Sequence, residues 1–179
     1  MHPVESATKL SPGGPHPTDA RPRVVLDTNV VLDLWAFADP RVGALRQALE
    51  AGQLDWLACP PMRSELQAVL ARGVAAGHGA QPEAVLGRWD LHARCVEGWA
   101  DGAAPRDHLA LRCRDPDDQV FLDLALRSGA GWLLSSDRDL LSLRRAAARR
   151  GLRIARPAQW TLEPPPGSLG TVEQLPLQG

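Results

Sequence analysis

Residues 23–35, RVVLDTNVVLDLW, decide the fold. The opening RVVLD is short, apolar and β-branched, the composition of a strand buried in a parallel sheet. From Thr28 onward the period changes, and Val31, Leu34 and Trp35 fall on one helical face. Asp27 stands at the junction. Open α/β sheets place their sites at such carboxyl ends of strands. An aspartate is also an ordinary helix N-cap, so Asp27 alone decides nothing.

Working outward, strands and helices alternate. DPRVGALRQALEAGQ predicts a helix with Asp39 as N-cap, Pro40 at the first position and Gly52 at the stop. LDWLAC (54–59) is a second strand. PPMRSELQAVLARG is a helix that starts at proline and ends at Gly73, and QPEAVLGRWDLHARCVEGWA is a further helix. RDPDDQVFLDLALRSGA predicts a helix with Asp115 as N-cap, Pro116 at the first position and Asp117 and Asp118 in the first turn. GWLLSS (131–136) is a third strand, DRDLLSLRRAAARRG a helix, and LRIAR (152–156) a fourth strand followed by PAQW. This alternation indicates an α/β fold with a central parallel sheet flanked by helices. The ordered domain spans 23–160. Residues 1–22, rich in Pro, Gly, Ser and His, are expected to be a disordered leader, and the Pro-rich 161–179 a disordered tail.

Four carboxylates fall where such a sheet would bring them together. Asp137 repeats the arrangement of Asp27 at the end of GWLLSS, with Asp139 two residues on. Two strand-end aspartates weaken a purely capping role. Asp118 precedes a stripe of Phe121, Leu122 and Ala125, which puts it on the buried-facing side, whereas Asp117 faces solvent and Asp123 reads as a surface charge. Glu65 lies beside the apolar face carrying Met62, Leu66, Val69 and Leu70. Like charges that converge repel unless a cation sits among them. Asn29 is placed to hold Asp27 or to contact a water.

The bulk properties exclude several classes. At 179 residues, 44% apolar and 23% charged, the chain can bury one proper core. No apolar run approaches the ~20 residues of a membrane helix, and the N-terminus lacks a signal-peptide h-region, so the expected location is cytoplasmic. Cys59, Cys95 and Cys113 lie far apart and form no CxxC pair, against both a disulfide framework and a zinc site. The net charge of −1 means that a nucleic-acid binder would need a local basic patch. RRAAARRGLRIAR supplies one, with Arg145 and Arg149 one helical turn apart and Arg150 beside them. Arg63, Arg112, Arg114 and Arg138 adjoin the acidic motifs in sequence. Of six tryptophans, Trp35, Trp56 and Trp132 read as core.

The motifs VVLDTNVVLD, SELQAVL, CRDPDDQVFLDLALRSGAGWLLSSDRDLLSL and IARPAQW, in this order and spacing, resemble the PIN-domain family, in the branch described as toxin components of bacterial toxin–antitoxin pairs. The resemblance covers residues 23–160. It implies a Rossmann-like three-layer fold and Mg²⁺- or Mn²⁺-dependent cleavage of single-stranded RNA. The family's acidic positions fall on Asp27, Glu65, Asp118 and Asp137, with Asp139 as a variable fifth. Where the family often has Thr or Ser with a small residue before the last aspartate, this chain has Ser135-Ser136, and either offers a hydroxyl. An antitoxin protein and a homodimer are partners implied by the family alone.

These residues give the expected chemistry. Hard carboxylate oxygens suit Mg²⁺ or Mn²⁺, held partly through water, and an acidified water would attack phosphorus in line. Asp27, Glu65, Asp118 and Asp137 are the expected catalytic and metal-holding residues, with Asp139 a further ligand, Asn29, Ser135 and Ser136 in support, and Arg138, Arg145, Arg149 and Arg150 on the nucleic acid. Two other classes compete: a non-catalytic metal- or RNA-binding PIN-like protein acting within a complex, and a phosphotransferase with an aspartate nucleophile. The second would want an aspartate where Asn29 stands.

Overall fold

The computed structural model describes residues 21–96, 99 and 111–162. The expected leader and tail therefore lie outside the described residues, apart from Arg21, Pro22, Thr161 and Leu162. Five strands form one all-parallel sheet: β1 (Arg23–Leu26), β2 (Asp55–Ala58), β3 (Ala93–Cys95), β4 (Trp132–Leu134) and β5 (Arg153–Ala155). Their order is β3-β2-β1-β4-β5. Parallel neighbours need crossovers, and helices fill them: α1 (Thr28–Trp35), α2 (Gly43–Glu50), α3 (Pro60–Ala71), α4 (Pro82–His92), α5 (Gln119–Ser128), α6 (Arg138–Ser142) and α7 (Arg144–Ala148). The result is a three-layer α/β fold, as expected.

β1 lies at the centre because it is apolar on both faces. Val24, Val25 and Leu26 are fully buried, and they pair with β2 on one side and β4 on the other. The strand order reverses between β1 and β4. Crossovers of fixed hand then leave the sheet on opposite faces, and a crevice opens at the carboxyl ends of these two strands. α5 packs across β1, β2 and β4 through Phe121, Leu122, Leu124 and Ala125. It stops at Gly129, whose φ of +63° a residue with a Cβ rarely adopts.

Several expected boundaries move. The helix expected over QPEAVLGRWDLHARCVEGWA ends at His92; Ala93–Cys95 turns extended and pairs with β2 as an edge strand. Trp89 on α4 packs edge-on against Trp56 at 4.8 Å, and His92 stacks parallel to Trp35 at 5.9 Å, so the apolar side of this helix is spent on the core. Asp39 caps a 3₁₀ turn at Pro40–Val42 rather than α2 itself. α5 begins at Gln119, not at Pro116: Asp115 accepts the Asp117 N–H at 2.9 Å and forms a separate turn before the helix. α6 and α7 were expected as one helix but are interrupted by a turn at Leu143, whose ψ of −4° lies at the edge of the helical region. Trp35 and Trp132 are half-buried rather than core, the latter under Arg153 at 4.9 Å. Asp123 is no surface charge either: it is half-buried and accepts Gln119 Nε2 at 2.6 Å.

At the opposite, amino-terminal edge of the sheet Asp55 is buried and accepts two bonds from Arg94, at 2.8 and 2.5 Å, with Arg23 at 3.8 Å. Removing the carboxylate leaves arginines that water can still reach, a smaller penalty than stranding a buried charge. Asp55→Ala should therefore lower stability by about 2 kcal/mol, read as a shifted urea midpoint, without altering the carboxylate cluster at the far edge.

Candidate active site

Asp27 follows β1 directly, and its N–H donates to Leu134 O of β4 at 3.0 Å, which fixes it in the crevice between the two strands. Its side chain is buried. Oδ1 accepts the Asn29 N–H at 3.3 Å, so Asp27 is also the N-cap of α1. Oδ2 accepts the Ser135 hydroxyl at 2.6 Å. The same Ser135 Oγ accepts the Asp137 N–H at 2.9 Å. One buried hydroxyl thus ties the two strand-end aspartates together. Of the paired serines, Ser135 makes these bonds, while Ser136 lines a neighbouring cleft of about 370 Å³ with Asn29, Asp33, Arg41 and Arg156. The Asn29 side chain is exposed toward that cleft; its backbone, not its amide, holds Asp27.

Asp137 caps α6, with Oδ1 accepting the N–H groups of Asp139 at 2.6 Å and Leu140 at 3.2 Å. Capping does not exclude a further role for either aspartate: each carboxylate oxygen has two lone pairs, and the Asp137 cap uses Oδ1 alone.

The electrostatics show which acids share a space. Asp118 is half-buried, whereas Asp117 is exposed, as the apolar stripe predicted. Burial, followed by the charges of Asp27, Asp137, Asp115 and Glu65, pushes the Asp118 carboxyl up to about 7. Burial also raises Asp27, and Asp137 adds to it; the Ser135 hydroxyl and the Asn29 and Thr28 N–H groups pull it partly back. Glu65 is raised by burial and by Asp27 and Asp117, against the Thr28 hydroxyl and Arg72. Asp27, Glu65, Asp118 and Asp137 therefore converge from β1, α3, the turn before α5, and β4. Asp139 stands further out, close enough to raise Cys113 but not among the charges acting on Asp27 or Asp118. Asp115 and Thr28 belong to this neighbourhood and were not expected there. Both sit at turn positions where their residue types are common, so nothing in the sequence marks them.

No arginine, lysine or histidine of the described residues forms an ion pair with any of the four acids. Burial and neighbouring carboxylates raise Asp27, Glu65 and Asp118, an environment that a hard divalent cation would relieve. Among the described residues no three acids, histidines or cysteines close up as a ready-made ion cage.

Ser135→Ala leaves the buried Asp27 oxygen and the Asp137 N–H without their shared partner. Loss of such a supporting bond should lower any activity of this site by about 10–100-fold, whereas Ser135→Thr, which keeps the hydroxyl, should retain most of it. Steady-state rates of the two variants check this.

The expected arginines separate. Arg138 and Arg145 line an open pocket of about 450 Å³ together with Arg144 and Arg156. Arg149 and Arg150 are not in its lining; Arg150 donates back to Ala146 O at 3.0 Å. Arg63 is engaged by Asp90 through two bonds, at 2.8 and 2.9 Å, clamping α3 to α4. No helix among the described residues is long and apolar enough to cross a membrane.

No curated protein matches this chain. The PIN domain profile matches residues 23–139, a span that contains all four converging acids. A parallel sheet with its switch point between β1 and β4, acids from four elements gathered there and that match together place this chain in the PIN-domain family, whose members are generally metal-dependent nucleases.

Proposed function

We propose that this protein is a Mg²⁺- or Mn²⁺-dependent endoribonuclease that hydrolyses single-stranded RNA. The observation that carries the reading is the gathering of acids at the β1/β4 switch point, two of them joined through the Ser135 hydroxyl and none ion-paired with a basic side chain among the described residues. Asp27, Asp118 and Asp137 would hold the cation, partly through water, and Glu65 would complete the set. Such an ion supplies positive charge to the phosphate and acidifies a nearby water.

The chain's own residues do the rest. Ser135 fixes the rotamer of Asp27, and the α6 N-terminus fixes Asp137, so two acceptors are rigid before substrate arrives. Glu65, raised by burial, would accept a proton from the attacking water and aim it. The water oxygen forms the new bond to phosphorus, the P–O3′ bond breaks, and the 3′ oxygen takes its proton from solvent. Products then carry 5′-phosphate and 3′-hydroxyl ends. End-group analysis of cleaved RNA checks this: a 2′,3′-cyclic phosphate would mean attack by the ribose hydroxyl and would overturn the mechanism.

The resemblance of the acidic motifs to the toxin branch supports a role as the toxin of a toxin–antitoxin pair, held by an antitoxin protein and active as a homodimer in the cytoplasm. A non-catalytic RNA-binding role would not require four intact acids.

A further inference from the structure

The PIN domain match ends at residue 139, and the arginine pocket is built almost wholly beyond it. Arg144 and Arg145 open α7, Arg156 follows β5, and only Arg138 comes from the matched region. No aspartate or glutamate lines the pocket, and none of the four guanidinium groups pairs with a carboxylate among the described residues. Gln159 adds an amide to the wall; its Oε1 accepts the Arg156 N–H at 3.3 Å.

The register connects this pocket to the acids. β5 lies beside β4, with Ala155 level with Leu134, and Ser135 N–H donates to Ala155 O at 3.1 Å. Arg156 therefore emerges at the same sheet edge as Ser135 and Ser136. It lines both the arginine pocket and the cleft that holds Asn29 and Ser136. Moving along the carboxyl edge from β1 and β4 to β5, one passes from carboxylates to arginines. A chain of phosphates has its cation-assisted point at the first and its charge partner at the second.

We propose that Arg138, Arg144, Arg145 and Arg156 form a subsite for a backbone phosphate of the single strand, outside the scissile linkage on the β5 side. The inference rests on the nuclease reading for the direction of the strand, but not for its test. Guanidinium forks match phosphate oxygens in pairs, and each phosphate contact releases condensed counterions, so binding weakens with salt in proportion to the contacts made.

The test is equilibrium binding of a labelled single-stranded RNA to the full chain in EDTA, by fluorescence anisotropy across a salt titration. Arg144→Gln/Arg145→Gln should weaken binding at 0.1 M salt by about 10-fold and flatten the log K against log salt slope by about 0.7, the loss of one phosphate contact. Arg144→Lys/Arg145→Lys keeps both charges and should restore the slope. The double change Arg63→Gln/Arg88→Gln, equal in charge but on α3 and α4, should leave it within error. An unchanged slope in the first variant, an equal loss in the α3/α4 variant, or no binding by the native protein would each overturn the inference. So would displacement of the strand by polyglutamate at equal charge concentration, which would assign the pocket to an acidic protein segment. Binding that follows the arginines, with no cleavage of the same RNA once Mg²⁺ or Mn²⁺ replaces the EDTA, would uphold the subsite and defeat the nuclease reading instead.

Discussion

Asp27→Asn should abolish metal-dependent cleavage, by at least about 10²–10³-fold, while the protein keeps its fold. The amide has the same shape, and its oxygen can still accept the Asn29 N–H or the Ser135 hydroxyl. What disappears is the buried charge between β1 and β4. Losing a ligand of the cation that would stabilise the reacting phosphate removes charge stabilisation of that order in rate. The native far-ultraviolet circular dichroism spectrum should persist. A variant with full activity would mean that Asp27 serves only as the cap of α1.

The second large effect concerns stability and pH. Asp118 holds its proton more tightly in the folded chain, at about 7, than in the unfolded chain, where a carboxyl titrates near ~3.9. Between those values the folded state carries the extra proton, so metal-free stability falls as pH rises from about 4 to about 7. Asp27 and Glu65 are raised in the same direction and add to the slope. A rise of that size corresponds to roughly 4 kcal/mol for a fully buried group; Asp118 is partly exposed, and solvent screening brings the expectation to about 1–2 kcal/mol. In EDTA the protein should thus be less stable at pH 8 than at pH 5.5, and Mg²⁺ or Mn²⁺ should recover the difference by binding the ionised acids. Asp118→Asn should remove most of the slope, melt a few degrees higher than the native protein at pH 8 in EDTA, gain little from metal, and cleave poorly. Thermal melts at the two pH values, with and without metal, check it; a flat profile in EDTA would show that these acids do not crowd one another.

Both effects come from residues legible in the sequence, and the reason is physical. Asp27 and Asp137 follow apolar runs dense enough to be buried parallel strands, so their place at the sheet edge follows from the pattern itself. Asp118 was separated from Asp117 by the stripe Phe121, Leu122, Ala125, and the burial of the two residues differs accordingly. β3 was not legible: Ala93-Arg94-Cys95 is short and largely exposed, and it lacks the apolar run that marked the other strands. It is a strand only because β2 offers an unpaired edge, which is tertiary information. The difference between Ser135 and Ser136 was equally hidden: both follow β4, and only the bonds of Ser135 to Asp27 and Asp137 tell them apart. The arginines show a third limit. Helical spacing grouped Arg145 with Arg149, but the break at Leu143 and the placement of β5 group Arg145 with Arg138 and Arg156 instead.

Cleavage of a labelled single-stranded RNA by the purified native protein, with Mn²⁺ or Mg²⁺ against EDTA, tests the central claim most directly. The carboxylate cluster predicts fragments that appear with either metal and vanish with the chelator. Cleavage that proceeds unchanged in EDTA, or none across varied RNAs once metal binding has been established, would contradict it.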